Sequence, residues 1–344
     1  MSHPLFDTPL IAAPMAGGTS TTALVEAVHN AGGLGFLAAG YKTPEAMSAE
    51  IKATRATGIR FGMNVFVPDP DQLSRSSPPA LEAYRNELEP EAARYGVALP
   101  ALRVDDDDAW QDKIDALLAD PVEFVSFAFG LPGPSVVRAL QKAGSTVISS
   151  VTTVPEAMAA AEEGVDALAV QHQSAGGHTA AFLSGLASSG AEAPRTTAEL
   201  VAQVRTAVGL PLIAAGAIMD SSALQEVLAA GAIAAQVGTA FVRTTESGAR
   251  QAHKDALGSP RFTSTAMTRA FTGRFARSLV NEFVSDHGEA PEGYPAIHHL
   301  TAPIRAAASA AGDPERLNLW AGTGWKTATD GSAKDVVRAY LSGL

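Results

Sequence analysis

The chain has 344 residues, of which 46% are hydrophobic, and a formal net charge of −11. This length supports a large core, either in one large α/β barrel or in two domains. The negative charge argues against a general nucleic-acid binder, and the lack of cysteine excludes disulfides, thiolate metal sites and cysteine nucleophiles. The N-terminus does not resemble a signal peptide, and no apolar run approaches about 18 residues. We therefore predict a cytoplasmic protein with no membrane span.

Short apolar runs recur along the first two thirds of the chain, and each is followed by a glycine or polar turn. Most are continuous rather than alternating, as expected for parallel strands that are buried on both faces. They occupy residues 9–14, 34–40, 60–66, 123–130, 145–151, 166–171, 210–216 and 234–238. These runs are the predicted strands.

Alanine-rich segments with helical character lie between the runs. Most begin at Ser, Thr or Pro and end at Gly, which are typical helix boundaries. They occupy residues 21–32, 43–58, 133–144, 153–164, 196–209 and 221–231. The repeated β/α order predicts an α/β fold, a TIM (β/α)8 barrel. A doubly wound open sheet is the alternative, because the number of strands does not prove closure.

Two regions interrupt this order. Residues 67–110 contain many prolines and charges and form an insertion after the third run, and residues 241–315 contain helical pieces without strand periodicity. We predict a barrel domain of residues 1–240 together with 316–344, whose last helix lies in 332–344. Residues 241–315 are predicted to be a small, mainly helical capping domain at the barrel mouth.

Glycines are frequent where the predicted strands end, which is where the active sites of such barrels lie. Gly216 follows the seventh run, and Gln236–Thr239 follows the eighth. These two loops are the common phosphate site of the fold, and glycine lets a phosphate approach main-chain N–H groups. The alternative is that these glycines serve only as turn residues, because short glycine loops are weak signals.

Two amides lie within or at the end of apolar runs. Buried amides need hydrogen-bond partners, and a planar heterocycle with donors and acceptors would satisfy both Asn64 and Gln171. Neighbouring main-chain groups are the alternative partners.

A histidine follows two glycines after the sixth run. Gly176 and Gly177 leave room for a flat ring, and His178 beyond them could reach its reactive face. Imidazole suits proton transfer or anion binding near neutral pH. The alternative is a histidine that is hydrogen-bonded on a loop. His298 and His299 are candidates for the outer wall of a pocket. No cluster has metal-ligand spacing, so no metal site is predicted.

Five segments together resemble the nitronate monooxygenase family, formerly called 2-nitropropane dioxygenases, which are FMN-dependent barrels. The order and spacing of the segments make the resemblance more specific than any one of them. The segments are residues 13–37, 63–66, 171–182, 214–247 and 319–324. The chain departs from the family at Ser174, where Glu is common, and at Ala180, where Gly is common.

The resemblance implies that FMN binds at the strand ends and that His178 is the active-site histidine. Asn64 and Gln171 would lie near the isoalloxazine ring, and Gly216 would contact the phosphate. The implied FMN-binding residues are Ala13, Pro14, Met15, Asn64, Gln171, Gly176, Gly177, Gly216, Gln236, Val237, Gly238 and Thr239.

The expected reaction is FMN-dependent oxidation of nitroalkanes or alkyl nitronates by O2 to a carbonyl compound and nitrite. His178 would act as the base or, when protonated, would orient the nitronate. The alternatives are an NAD(P)H-dependent FMN reductase of enoyl thioesters or quinones on the same barrel, and a non-catalytic flavin-binding protein. The expected partners are the small-molecule nitroalkane or nitronate and O2, with no nucleic acid and no membrane. The oligomeric state stays open, and a homodimer is one option.

Overall fold

The fold is a closed barrel of parallel strands surrounded by helices, as the sequence predicted. A computed structural model describes residues 5–69, 76–183 and 194–344. The barrel strands are β1 (Leu10–Ala12), β2 (Leu34–Ala38), β3 (Phe61–Phe66), β4 (Phe124–Ala128), β5 (Thr146–Val151), β6 (Ala167–Gln171), β8 (Leu212–Ala215) and β9 (Ala234–Val237). Closure is set by β1, where Ile11 is paired with Leu34 of β2 on one side and Gln236 of β9 on the other. The open-sheet alternative is therefore wrong.

Hydroxyl and carboxylate side chains begin most of the barrel helices. Thr21 and Thr43 accept hydrogen bonds from the first turns of their helices, and Asp220 does the same. Within the described ranges, no helix is long and apolar enough to cross a membrane. The helices are α1 (Thr22–Asn30), α2 (Pro44–Arg55), α3 (Pro78–Glu87), α4 (Glu89–Arg94), α5 (Trp110–Ala119), α6 (Pro134–Lys142), α7 (Val154–Glu162), α8 (Thr197–Ala207), α9 (Ser221–Ala229), α10 (Thr239–Val242), α11 (Gln251–Gly258), α12 (Glu282–Asp286), α13 (Ala296–Ala310) and α14 (Ala333–Leu341).

The barrel strands are buried on both faces, which explains their continuous apolar runs. Phe36 packs with Ile148 and Ile213 in a cluster inside the barrel. The next residue, Leu37, packs in the larger cluster between the strands and the surrounding helices, which also contains Val337 of α14. Successive side chains of a strand point to opposite faces, and in this barrel both faces are apolar.

The insertion after β3 and the segment 241–315 share a second apolar core. Leu81 and Tyr84 of α3 pack against Phe271 and Phe283, and the Tyr84 hydroxyl donates to the Ala270 carbonyl (2.7 Å). Residues 70–75 of the insertion lie outside the described residues. The two interruptions of the β/α order are therefore packed against each other, which the sequence analysis did not predict.

A small antiparallel sheet also differs from the prediction, which placed no strand in residues 241–315. Its strands are β7 (Gly177–His178), β10 (Thr265–Thr268) and β11 (Ala276–Leu279). The order is β10-β11-β7, and Ala276 of β11 is paired with His178. The hairpin strands have four residues each, too few to show a two-residue period. The pairing fixes His178 to the segment 241–315.

Candidate active site

One cavity at the carboxyl ends of the barrel strands brings together His178 and every residue that the family resemblance implied for FMN binding. Besides His178, the predicted residues that line it, here called the barrel wall, are Ala13, Pro14, Met15, Asn64, Gln171, Gly176, Gly177, Gly216, Gln236, Val237, Gly238 and Thr239. They come from β1, β3, β6, β8, β9 and the loops that follow. Residues separated by more than 200 positions in the chain thus meet at one barrel mouth.

The opposite side of the cavity consists of residues that the sequence analysis did not predict. These residues, here called the outer wall, are Arg250, His253, Arg305, Leu317, Asn318 and Trp320. Trp320 lies in the segment 319–324 that carried part of the family resemblance, so a signal for it existed. The arginines and His253 lie in or just before helices of the segment 241–315, where nothing in the sequence distinguished them from surface residues.

The two adjacent histidines proposed for an outer wall do not line this cavity. His298 is stacked on Tyr41, with ring centroids 3.9 Å apart and an interplanar angle of 5°. His299 Nε2 lies 2.7 Å from the Asp106 carboxylate. His298 supports Arg305 instead, because its carbonyl accepts a hydrogen bond from the guanidinium (2.9 Å).

His178 is held at the cavity by hydrogen bonds from both sides. Its Nε2 lies 2.9 Å from the Thr272 hydroxyl, and its carbonyl accepts from the Gln171 side chain (3.1 Å). The Gln171 amide oxygen also accepts from the Ala180 N–H (2.7 Å). Both ends of the Gln171 amide are therefore hydrogen-bonded to main-chain groups of the loop that carries His178. The sequence left this open as the alternative to a heterocycle as the partner of Gln171. The aromatic ring of Trp320 packs near the imidazole, with centroids 5.3 Å apart.

Burial, together with the nearby charges of Arg274 and Arg305, lowers the pKa of His178 to about 3. The ring is partly accessible because it faces the cavity, but it lies deep within the protein, where the charged form loses hydration. His178 is therefore uncharged near neutral pH in the absence of a bound anion. The lowered pKa disfavours a permanently protonated His178, which is one of the two forms expected from the sequence.

The two glycines before His178 are needed for different reasons. A Cβ at Gly176 would lie 2.5 Å from the Gly322 nitrogen, so a side chain there would displace the segment after Trp320. Gly177 has a φ of +75° and open space beside it. The Cβ direction of Gly177 therefore leaves room for a flat ring, whereas that of Gly176 is filled by protein backbone. Gly176 still lines the cavity, and its place beside a ring stays a prediction.

The loops after β8 and β9 expose main chain to the cavity. Gly216 has a φ of +122°, and a Cβ there would lie 2.9 Å from the Ser174 hydroxyl. Its carbonyl accepts from the Thr197 hydroxyl (2.6 Å), so the next N–H, that of Ala217, points the opposite way. After β9, α10 begins at Gly238 without a side-chain cap.

Asn64 is buried in β3 beside the cavity. Its Nδ2 donates to the carbonyl and hydroxyl of Ser126 (3.1 and 2.9 Å). The amide oxygen accepts no hydrogen bond from the described residues. Half of this amide is therefore satisfied by the neighbouring strand, and the other half remains for a group in the cavity.

Ser174, one of the two positions where the sequence departs from the family it resembles, contacts His172 and does not line the cavity. Its hydroxyl lies 2.8 Å from His172 Nδ1. Across the described ranges, no group of His, Asp and Glu residues could hold a metal ion.

The charge of the cavity is opposite to that of the whole protein. The chain has a net charge of −11, yet no Asp or Glu is among the described residues that line the cavity. Two arginines, Arg250 and Arg305, line it. The site is therefore suited to anions, because bare main-chain N–H groups occupy one wall and cationic side chains the other.

Comparisons with known proteins identify the family of the chain. The family described as nitronate monooxygenase matches residues 3–343. A probable nitronate monooxygenase of Staphylococcus aureus is 34% identical, over 97% of this chain and 93% of the relative. A solved nitroalkane oxidase from Streptomyces ansochromogenes is 46% identical, with a TM-score of 0.92 over 99% of this chain and 96% of its own.

FabK from Thermotoga maritima is also similar in structure, with a TM-score of 0.74, 24% identity and coverage of 99% of this chain and 93% of its own. At that identity the likeness shows only a shared fold. The full-length family match and the curated relatives indicate an oxidoreductase. We conclude that the chain belongs to the nitronate monooxygenase family.

Proposed function

We propose that the protein uses FMN and O2 to oxidise alkyl nitronates and nitroalkanes to a carbonyl compound and nitrite. The observation that carries the proposal is the composition of one cavity. It combines bare strand-end main chain, an uncharged His178 and two arginines, with no carboxylate among its described lining residues. A dianionic cofactor phosphate and an anionic substrate both fit such a site.

The barrel wall fits FMN. The Ala217 N–H and the uncapped start of α10 support a phosphate position beside Gly216 and Gly238. The amide oxygen of Asn64 could accept a hydrogen bond from an N–H of the flavin ring, because only the amide nitrogen is bonded to the neighbouring strand. The space beside Gly177 has room for the flat ring. When bound, FMN supplies the electron acceptance and the reaction with O2 that amino-acid side chains do not provide.

His178 serves as the proton acceptor for neutral nitroalkanes in this proposal. An uncharged imidazole can remove the α-proton, and the resulting imidazolium is then paired with the nitronate that forms beside it. For a nitronate that is already anionic, no proton needs to move, and the imidazole only orients the substrate. The low pKa in the anion-free protein therefore favours preformed nitronates over neutral nitroalkanes.

Thr272 sets which imidazole nitrogen is basic. The Thr272 hydroxyl has one proton, which the Arg274 carbonyl can accept at 3.2 Å. The hydroxyl oxygen then accepts from His178 Nε2–H (2.9 Å), and Nδ1 keeps the lone pair. We assign Nδ1 as the proton-accepting atom on this basis. Thr272 is a positioning residue, because it acts through the imidazole.

The experiment that tests the function is the absorption spectrum of the purified protein followed by anaerobic stopped-flow mixing. A flavin spectrum that bleaches rapidly with propyl-2-nitronate, and not with NADH or NADPH, supports the proposal. Bleaching by NADH or NADPH alone would instead identify the reductase. A yellow protein that reacts with neither would indicate a non-catalytic flavin protein.

A further inference from the structure

Arg305 is a buried cation without a carboxylate partner. It is 7% exposed, and its hydrogen-bond partners among the described residues are neutral groups with no Asp or Glu among them. A buried guanidinium ordinarily needs paired charge, because losing its hydration is costly. Among the described residues, therefore, no carboxylate beside Arg305 balances its positive charge.

Another buried arginine shows how this protein neutralises such a charge elsewhere. Arg316 is 3% exposed and lies 2.6 Å from Glu91, 2.9 Å from Glu282 and 3.6 Å from Asp286. Burial alone would lower the pKa of Arg316, but the hydrogen bonds with Glu91 and Glu282 raise it. Burial lowers the pKa of Arg305 to about 10, with no carboxylate to compensate.

Neutral groups fix the Arg305 guanidinium in place. Its Nε donates to the Thr301 hydroxyl (3.1 Å), and its Nη2 donates to the His298 carbonyl (2.9 Å). The remaining nitrogen, Nη1, donates to none of the described residues, and Arg305 lines the cavity. The guanidinium is thus held from behind, and one edge is left for a group inside the cavity.

Arg305 also lies close enough to His178 to affect its protonation. The positive charge of Arg305 contributes to the lowered pKa of the imidazole. Arg250 is near as well, since its Nη1 donates to the Arg305 carbonyl (3.3 Å). Arg305 therefore places a positive charge at the histidine end of the cavity, where the reacting group of the substrate belongs in the proposed function.

We propose that Arg305 is the anion-binding residue for the substrate, holding the nitronate oxygens opposite the proton-accepting side of His178. This inference rests on the proposed function and adds its substrate-selecting residue. Nη1, which has no acceptor among the described residues, can donate to the anion, so a charge-assisted hydrogen bond replaces the missing carboxylate.

The proposal separates two kinetic effects. A nitronate carries its charge on binding, so losing Arg305 raises its KM. A neutral nitroalkane gains that charge only as His178 accepts the α-proton, so losing Arg305 lowers kcat more than it raises KM. A residue with only a structural role would not divide the effects in this way.

The test uses nitrate, a planar monoanion, as a probe of the purified holoenzyme in isothermal titration calorimetry. Arg305→Gln is expected to weaken nitrate binding and to raise the nitronate KM by about 10- to 100-fold. Arg305→Lys keeps the charge and should retain most of the nitrate affinity. Arg60→Gln is the matched control, because it removes one positive charge next to Glu123, at the opposite end of the barrel, and should leave both values unchanged.

A nitrate affinity of Arg305→Gln within about twofold of the wild-type value would overturn the proposal. A variant that loses FMN but keeps its nitrate affinity would overturn it as well. FMN content and melting temperature are measured for each variant, so misfolding is recognised, and Arg305→Lys provides a second, milder variant. If the wild type binds nitrate through Arg305 but does not oxidise nitronates, the anion site stands and the proposed function fails. If nitronate oxidation proceeds unchanged without Arg305, the function stands and this inference fails.

Discussion

The barrel wall of the cavity offers mostly main chain and small side chains, whereas the outer wall carries both of the cavity's arginines. On the barrel side, Gly216 and Gly238 contribute main chain to the cavity lining. On the outer side, Arg305 and Trp320 project from segments outside the barrel strands. His178 lies between the walls, on a strand paired with the hairpin β10–β11. The division suggests that the barrel binds the cofactor and that the outer wall determines the substrate.

The largest expected effect is at the residue between the two walls. His178→Asn should keep FMN, because the barrel wall is unchanged, but should lower turnover of neutral nitroalkanes by about 10²- to 10⁴-fold through loss of the proton acceptor. The checks are FMN absorbance per protein and initial rates with nitroethane. Turnover within a few-fold of the wild type would show that His178 does not accept the proton.

A pair of glycine variants separates cofactor contact from packing. Gly238→Ala adds a methyl group that meets nothing closer than 3.5 Å among the described residues, so the apoprotein should keep its stability. The methyl group would lie at the proposed phosphate position, so it should weaken FMN binding by roughly tenfold. Gly176→Ala would force the segment at Gly322 to move and should cost about 1–3 kcal/mol of the free energy of unfolding. FMN titration and urea unfolding of both apoproteins measure these effects. Equal losses of stability in the two variants would contradict the distinction.

The histidine of the outer wall, His253, should make stability depend on pH. Burial is the main cause that lowers the pKa of His253 to about 4, whereas an unfolded histidine titrates near 6.5. The unfolded state therefore binds more protons below about pH 6.5, and the free energy of unfolding falls from there towards pH 4. His253→Gln, which can still donate to the Trp320 carbonyl, should reduce this slope by up to about 1.4 kcal/mol per pH unit. Urea unfolding at several pH values tests this, and an unchanged slope would count against a buried neutral His253.

The smallest expected effect concerns the positioning of the imidazole. Thr272→Val removes the hydroxyl 2.9 Å from His178 Nε2 and should lower kcat for nitroethane by up to about tenfold, with less effect on nitronate. Thr272→Ser keeps the hydroxyl and should restore most of the rate. If the serine variant is as slow as the valine variant, the hydroxyl does not position the base.

The sequence predicted the barrel and its wall because both depend on local patterns. Continuous apolar runs identify strands buried on both faces, and their ends are where glycines such as Gly216 must lie. Arg305 could not be found in this way, since an arginine in a helix is ordinarily solvated and its burial follows only from packing between distant segments. The pairing of His178 with Ala276 was likewise hidden, because strands of two to four residues show no period.

A crystal structure of the protein with FMN and nitrate tests the central claim most directly. The account predicts the phosphate at the main-chain N–H groups beside Gly216 and Gly238, the flavin ring next to Asn64, and nitrate between His178 and Arg305. An FMN molecule bound elsewhere, or a flavin ring whose open face is turned away from His178, would contradict it.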